Sequence, residues 1–157
     1  MAAGQEISKE FQVRGDPEVT TTPADYQART EAAFRVQEVQ TQLNGIIGTV
    51  TDLQTQIQGL QESMRGKDLS NAAQIRSQVQ QALDQLDAVG SELRRPPGSM
   101  GYRDYPRLSE QLSFASRGFT GIQARPTDGQ LQVIEEVAVQ IDAKGLELRA
   151  VIVGAVA

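Results

Sequence analysis

The sequence contains no cysteine and no histidine. Without cysteine there can be no disulfide and no thiolate metal site, and the redox compartment leaves no mark on the composition. Without histidine there is no imidazole general base, no His-dependent triad and little basis for a zinc site. The Glu-x-x-His motif of di-iron four-helix bundles is excluded for the same reason. Tryptophan is missing too, and aromatic residues make up only 4% of the chain. A β-sandwich would want more aromatic and β-branched residues in short alternating runs. Positive charge is in deficit: 15 Lys and Arg against 20 Asp and Glu give a net charge of −5. Nucleic-acid binding needs a basic surface, and Arg65, Arg94, Arg95, Arg103 and Arg107 form no dense basic run. No nucleic-acid partner is expected. Long apolar runs are also lacking. The longest, Ala150 to Ala157, includes Gly154 and falls far short of the roughly 18 residues a membrane span requires. The start, Met1-Ala2-Ala3-Gly4-Gln5-Glu6, has no apolar h-region. Neither a signal peptide nor a membrane span is expected in this chain.

What the chain does have is Gln, Leu, Ala and Val arranged at helical spacing. Its 157 residues suit one domain with a sizeable core. Residues 5 to 14 stand apart. Ile7, Phe11 and Val13 share one parity, interrupted by Lys9, and Ser8, Glu10, Gln12 and Arg14 the other, a period-two pattern that predicts a short strand. Gly15-Asp16-Pro17 ends it, and a Thr-rich linker, Val19 to Thr22, follows.

Thr22-Pro23-Ala24-Asp25 predicts the start of a first helix, with Thr22 as N-cap, Pro23 at the first helical position and Asp25 at the positive helix end. From Val36 the apolar positions are Val39, Leu43, Ile46, Val50, Leu53, Ile57, Leu60 and Met64, an unbroken heptad seam that Ala32 extends backwards. Gly45, Gly48 and Gly59 lie off this seam and mark either a bend or a second close contact. After a turn at Arg65-Gly66-Lys67-Asp68, a second helix is expected from about Ser70 to Arg94. Its stripe is Ala72, Ile75, Val79, Ala82, Leu83, Leu86, Val89 and Leu93. Arg94 and Arg95 suit its negative end, and Pro96-Pro97-Gly98 stops it. Pro106 is expected to open a third helix, with Leu108, Leu112, Ala115, Phe119 and Ile122 on one face, broken by Arg125-Pro126. Thr127-Asp128-Gly129-Gln130 fits a capping box and opens a fourth. The stripe of that helix is Leu131, Ile134, Ala138, Ile141, Gly145, Leu148 and Ile152, with Gly145 placed where another backbone could approach. Such stripes read as ordinary core. The first helix is longer than any partner, so one end should project or bend.

Candidate chemistry is thin. Asp84 with Asp87, and Glu135 with Glu136, are the only carboxylate pairs of note. A glycosidase needs its two carboxyls about 5 to 10 Å apart across a sugar cleft, and nothing in the pattern builds one. These residues read as solvated helix surface. Gly98-Ser99-Met100-Gly101 lacks the Lys-Ser/Thr of a phosphate loop. Ser109, Ser113 and Ser116 have no histidine partner, and Lys9, Lys67 and Lys144 are not placed near them. No catalytic, cofactor-binding or metal-ligating residue is assigned. On the first helix, Gln40, Gln42, Gln54, Gln56, Gln61, Thr49 and Ser63 rim the seam, with Ile47 the exception. Neutral rims encode little partner choice. They favour a partner within the same chain, hence a monomer, over self-association.

From Glu10 onward the chain resembles the C-terminal region of large bacterial secreted β-propeller proteins with sialidase-like or sortilin-like repeats, often labelled glycosyl hydrolases. The residues that carry the resemblance are Phe11-Gln12-Val13-Arg14-Gly15-Asp16-Pro17, Pro23-Ala24-Asp25-Tyr26-Gln27, Pro106-Arg107-Leu108-Ser109-Glu110-Gln111-Leu112 and Arg125-Pro126-Thr127-Asp128-Gly129-Gln130. The ending, Val151 to Ala157, departs from the Asn- and Leu-rich ending of that family. The resemblance implies a parent that is exported, with the propeller and any hydrolase chemistry outside this sequence. No catalytic residue carries over. It also implies that residues 1–22 are the last strand of an immunoglobulin-like domain plus a linker, and residues 23–157 a helical bundle domain.

The expected fold is therefore all-α, an antiparallel bundle of about four helices with one long N-terminal helix, preceded by a short orphan strand. The expected function is a non-catalytic structural or interaction module whose partners are the parent's propeller and immunoglobulin-like domains or another protein, with no cofactor. The alternative is a free-standing coiled-coil protein that self-associates through its first helix. A small carboxylate-using enzyme stands last.

Overall fold

The computed structural model describes residues 8–14, 16–66, 71–99, 104–120 and 124–156. It is an all-helical bundle of four helices: α1 (Pro23–Met64), α2 (Ala72–Leu93), α3 (Leu108–Thr120) and α4 (Asp128–Val156).

Three of the helices begin where side chains satisfy the first-turn backbone. At the head of α1, the Thr22 hydroxyl accepts from the Asp25 backbone N–H, and the Asp25 carboxylate accepts from the Thr22 N–H at 2.9 Å. Pro23 fills a position whose missing N–H costs nothing in the first turn. The same reciprocal bonding opens α4. The Thr127 N–H donates to Gln130 Oε1 at 2.8 Å, and the Gln130 N–H donates to Thr127 Oγ1 at 3.2 Å. The third helix starts two residues later than Pro106 implies. The Arg107 carbonyl takes the first helical bonds from Glu110 and Gln111, and its own N–H is held by the Glu110 carboxylate. Ile122 lies outside the described residues.

The register of the helices follows from pairs of residues. Arg35 meets Glu135 and Ile46 meets Gly145, so α1 and α4 run parallel with an offset of about 100 residues. Val50 meets Gly90 and Gln54 meets Asp87, so α2 runs antiparallel to α1. Glu92 reaches Lys144, and Gly118 lies against Gln130, so α2 and α3 both run antiparallel to α4. Thus α2 and α3 are not antiparallel neighbours. They follow one another in the same direction, end to end, as one column along α1. The physical reason is length. At 1.5 Å per residue the 42 residues of α1 span about 63 Å. The prolines after Arg95 stop α2 about halfway along it, leaving the N-terminal half of α1 for α3 to cover.

The core is one cluster along this seam. It contains Ala32, Val39, Leu43 and Val50 of α1, Leu86, Val89 and Leu93 of α2, Leu108, Leu112, Ala115 and Phe119 of α3, and Ile134, Val137, Ala138, Ile141 and Leu148 of α4. Ile46 faces α4 and Ile47 faces α2, so the apparent break in the polar rim at Ile47 is where the seam widens to touch two columns. The offset carries α4 only to about the level of Gln56. Beyond it α1 and α2 form a two-helix hairpin, which is why Ile57 and Val79 are half-buried and Leu60 is 49% exposed. The projecting end expected from the length of α1 is this hairpin.

Three expectations are corrected. No strand is present among the described residues: Ser8 to Arg14 has no regular secondary structure and no backbone partner, because a strand needs a neighbour for its donors and acceptors. Residues 5 to 7 lie outside the described set. Phe11 and Val13 are each 84% exposed. Gly45, Gly48 and Gly59 face open space and sit in no second contact, and α1 is continuous through all three. Gly145 admits the Ile46 side chain rather than another backbone. The glycines that accommodate a close approach are Gly118, where an added Cβ would overlap the Gln130 side-chain amide, and Gly90, where it would lie 3.2 Å from Val50 Cγ1.

Candidate functional site

The carboxylates weighed from the sequence sit apart on the outside of the bundle. Asp84 accepts from Gln80 at 2.9 Å, one turn back on its own helix. Asp87 accepts from Gln54 across the α1–α2 contact. Glu136 accepts from Gln132 at 2.7 Å. Glu135 takes two parallel hydrogen bonds from the Arg35 guanidinium, at 2.8 and 2.7 Å, tying α4 to α1. Those bonds lower the Glu135 carboxyl below its ordinary range and raise Arg35. All four carboxylates are exposed, and each accepts its bond from a donor that orders the helix surface. No group of three or more Asp and Glu among the described residues could hold a metal ion. The Ser116 hydroxyl is turned to its own helix, donating to the Ser113 carbonyl at 3.2 Å. Met100 and Gly101 lie outside the described residues.

Two polar clusters that residue spacing does not reveal join elements together. Arg95, only 12% exposed, donates Nε and Nη2 to the two oxygens of Glu110, both at 2.8 Å. Nη1 donates to Asp104 at 3.1 Å, and Nη2 also donates to the Tyr105 carbonyl at 3.2 Å. Hydrogen bonds from Arg95, then from the Arg107 N–H, hold the Glu110 carboxyl down to about 2. Lys144 on α4 bridges Glu92 and Glu147, each at 2.7 Å. Burial pulls its pKa down, but the bonds to Glu147 and Glu92 outweigh that and leave it raised. The sequence shows Arg95 next to a helix end, where macrodipole pairing is the simplest reading. Only the fold brings Glu110 to it.

The remaining unusual surface is apolar. α4 carries its core stripe on one side and a second stripe on the opposite side. The second consists of Val139, Ala143, Leu146, Ala150 and Val153, at spacings of 4, 3, 4 and 3. All five are exposed, with Val139 at 68%, Leu146 at 64% and Val153 at 69%. Seam spacing of this kind is the signature of helix-to-helix packing, and a helix apolar on two faces is ordinarily covered on both. In the sequence the second stripe is overshadowed by the longer stripe from Leu131 to Ile152. The signal was present: valine and leucine recur every seven residues from Val139. Beside this face, an open groove of about 720 Å³ runs between α1 and α4, lined by Gly45, Thr49, Leu146 and Arg149 among others. Asp142 and Arg149 lie along one edge of the stripe, and neither has an ion pair or hydrogen bond within the described residues.

No helix among the described residues is long and apolar enough to cross a membrane. Comparison with protein-family models, with curated proteins and with solved structures finds no match to this chain.

Proposed function

We propose that this chain is a non-catalytic structural and interaction module, resembling the C-terminal helical domain of an exported β-propeller protein. The observation that carries the reading is the outer face of α4, where apolar side chains at heptad spacing stand in solvent. Catalytic sites gather polar groups of shifted acidity into a concave, water-poor place. In this chain the buried residues include no polar or charged one among those described, and the shifted carboxyls are shifted by ion pairs and caps that join helices. The bundle therefore offers area and rigidity. The exposed Phe11 and Val13 support the link to a parent, since both would be covered if Ser8 to Arg14 closed the sheet of a preceding immunoglobulin-like domain.

Two measurements test the reading. The reading frame around Met1 should encode a propeller and an immunoglobulin-like domain upstream; finding neither would end the parent assignment. The purified chain should hydrolyse no glycoside. Hydrolysis that disappears in Glu135→Gln or Asp84→Asn would end the non-catalytic assignment.

A further inference from the structure

We propose that the outer face of α4 pairs with the same face of a second copy of this chain, the two helices lying back to back and antiparallel. The pairing deepens the interaction-module reading by naming a partner, and it owes nothing to the parent protein.

The stripe itself selects the direction. Large and small residues alternate along it: Val139, Ala143, Leu146, Ala150, Val153. Antiparallel pairing about a point between Lys144 and Gly145 sets Val139 opposite Ala150 of the second copy and Ala143 opposite Leu146 of the second copy. The four layers built from Val139, Ala143, Leu146 and Ala150 then each hold one large and one small side chain, with Val153 at either end opposite Glu136 of the second copy, and the helix axes can approach toward the near end of the usual 8–10 Å. Parallel pairing sets Leu146 against Leu146 and Ala143 against Ala143, alternating crowded and empty layers.

The flanking charges select the same direction. Asp142 and Arg149 lie seven residues apart on one edge of the stripe. Reversing the second helix brings Asp142 of each copy opposite Arg149 of the other, two complementary pairs from residues that have no ion-pair or hydrogen-bond partner among the described residues. On the other edge Gln140 meets Glu147, an amide facing a carboxylate whose charge Lys144 already offsets at 2.7 Å. In a parallel pair Asp142 of each copy would face Glu147 of the other, two like-charge contacts of the kind that exclude an orientation. The seam of α1 cannot serve instead, because Val39, Leu43 and Val50 are already buried under the chain's own helices.

A stripe of five residues is smaller than a standard interface, so the expected dimer is weak, with a dissociation constant of about 10–100 μM. Sedimentation of the whole chain from about 5 to 500 μM should show a reversible monomer–dimer equilibrium. Leu146→Glu should weaken it at least about 100-fold while the helical circular dichroism stays unchanged. Arg149→Asp and Asp142→Arg, made singly, should each weaken it about tenfold at low salt. The double variant Asp142→Arg/Arg149→Asp should recover the wild-type constant. A monomer throughout the range overturns the proposal, as does a dimer indifferent to Leu146→Glu. Single charge variants without effect, or a double variant that stays weak, overturn the antiparallel register. None of these outcomes alters the hydrolysis or reading-frame tests above.

Discussion

Arg95 grips Glu110 through two parallel hydrogen bonds of 2.8 Å, and this pair fixes how α3 continues from α2. Bidentate geometry sets both distance and angle. The same guanidinium reaches Asp104 and the Tyr105 carbonyl. One side chain thereby joins the end of α2, the last part of the loop and the first turn of α3.

The pair makes stability depend on acid. An unfolded Glu titrates near about 4.3, and in the folded chain Glu110 is held down to about 2. A depressed carboxyl contributes stability that is complete above the unfolded value and is lost as pH falls through the folded one. Glu135 and Asp25 are shifted in the same direction. Urea midpoints should therefore be level at neutral pH and fall between about pH 5 and 2. Glu110→Gln should have a lower midpoint at neutral pH and a flatter acid limb. An acid limb as steep as the wild type's would show that Glu110 is not a main source of it.

Substitution of glycines should separate solvent from contact. Gly48 sits in the middle of α1 with open space where a Cβ would go. Gly48→Ala should stabilise the chain by about 0.5–1 kcal/mol, the helix-propensity difference. Gly90→Ala gains the same propensity but places a methyl 3.2 Å from buried Val50. It should be neutral or destabilising, because Val50 is β-branched and packed. Equal stabilisation by both, read from thermal melts, would mean that α1 and α2 are not held at this distance.

Core truncations should report the uneven cover along α1. Phe119 and Leu43 are fully buried where three columns meet. Phe119→Ala should cost about 3–5 kcal/mol and Leu43→Ala about 2–5 kcal/mol. Leu60 lies on the projecting hairpin and is 49% exposed, so Leu60→Ala should cost about 1 kcal/mol. Comparable losses at Leu60 and Leu43 in urea denaturation would contradict the hairpin.

Hydrogen exchange should show three tiers. Amides from Ser8 to Val13, with no strand partner, should exchange fastest. The hairpin ends, 57–64 of α1 and 72–79 of α2, should open in a sub-global step. Amides of α1 between Val39 and Val50 should exchange only on global unfolding. Protection of Ser8 to Val13 in the monomer would contradict both the unpaired segment and the parent reading built on it.

What the sequence determined by itself was local. Thr22-Pro23-Ala24-Asp25 carries an N-cap, a first-turn proline and a first-turn carboxylate, and Thr127-Asp128-Gly129-Gln130 both halves of a capping box, so two helix starts were legible from four residues apiece. The heptad spacing from Val36 gave the buried line of α1, because side-chain direction in a helix depends only on residue number. Tertiary structure decided what adjacency in sequence cannot encode. α2 and α3 form one column because α1 is longer than either, a relation of lengths rather than of motifs. Arg95 and Glu110 were each ordinary helix-end charges until the loop closed between them. Phe11 and Val13 alternate like a strand, yet they are unpaired here, because strand pairing belongs to two segments and the described residues supply one. The two apolar faces of α4 have the same spacing and similar side chains, and only the packing of α1, α2 and α3 decided which one became core and which was left in water.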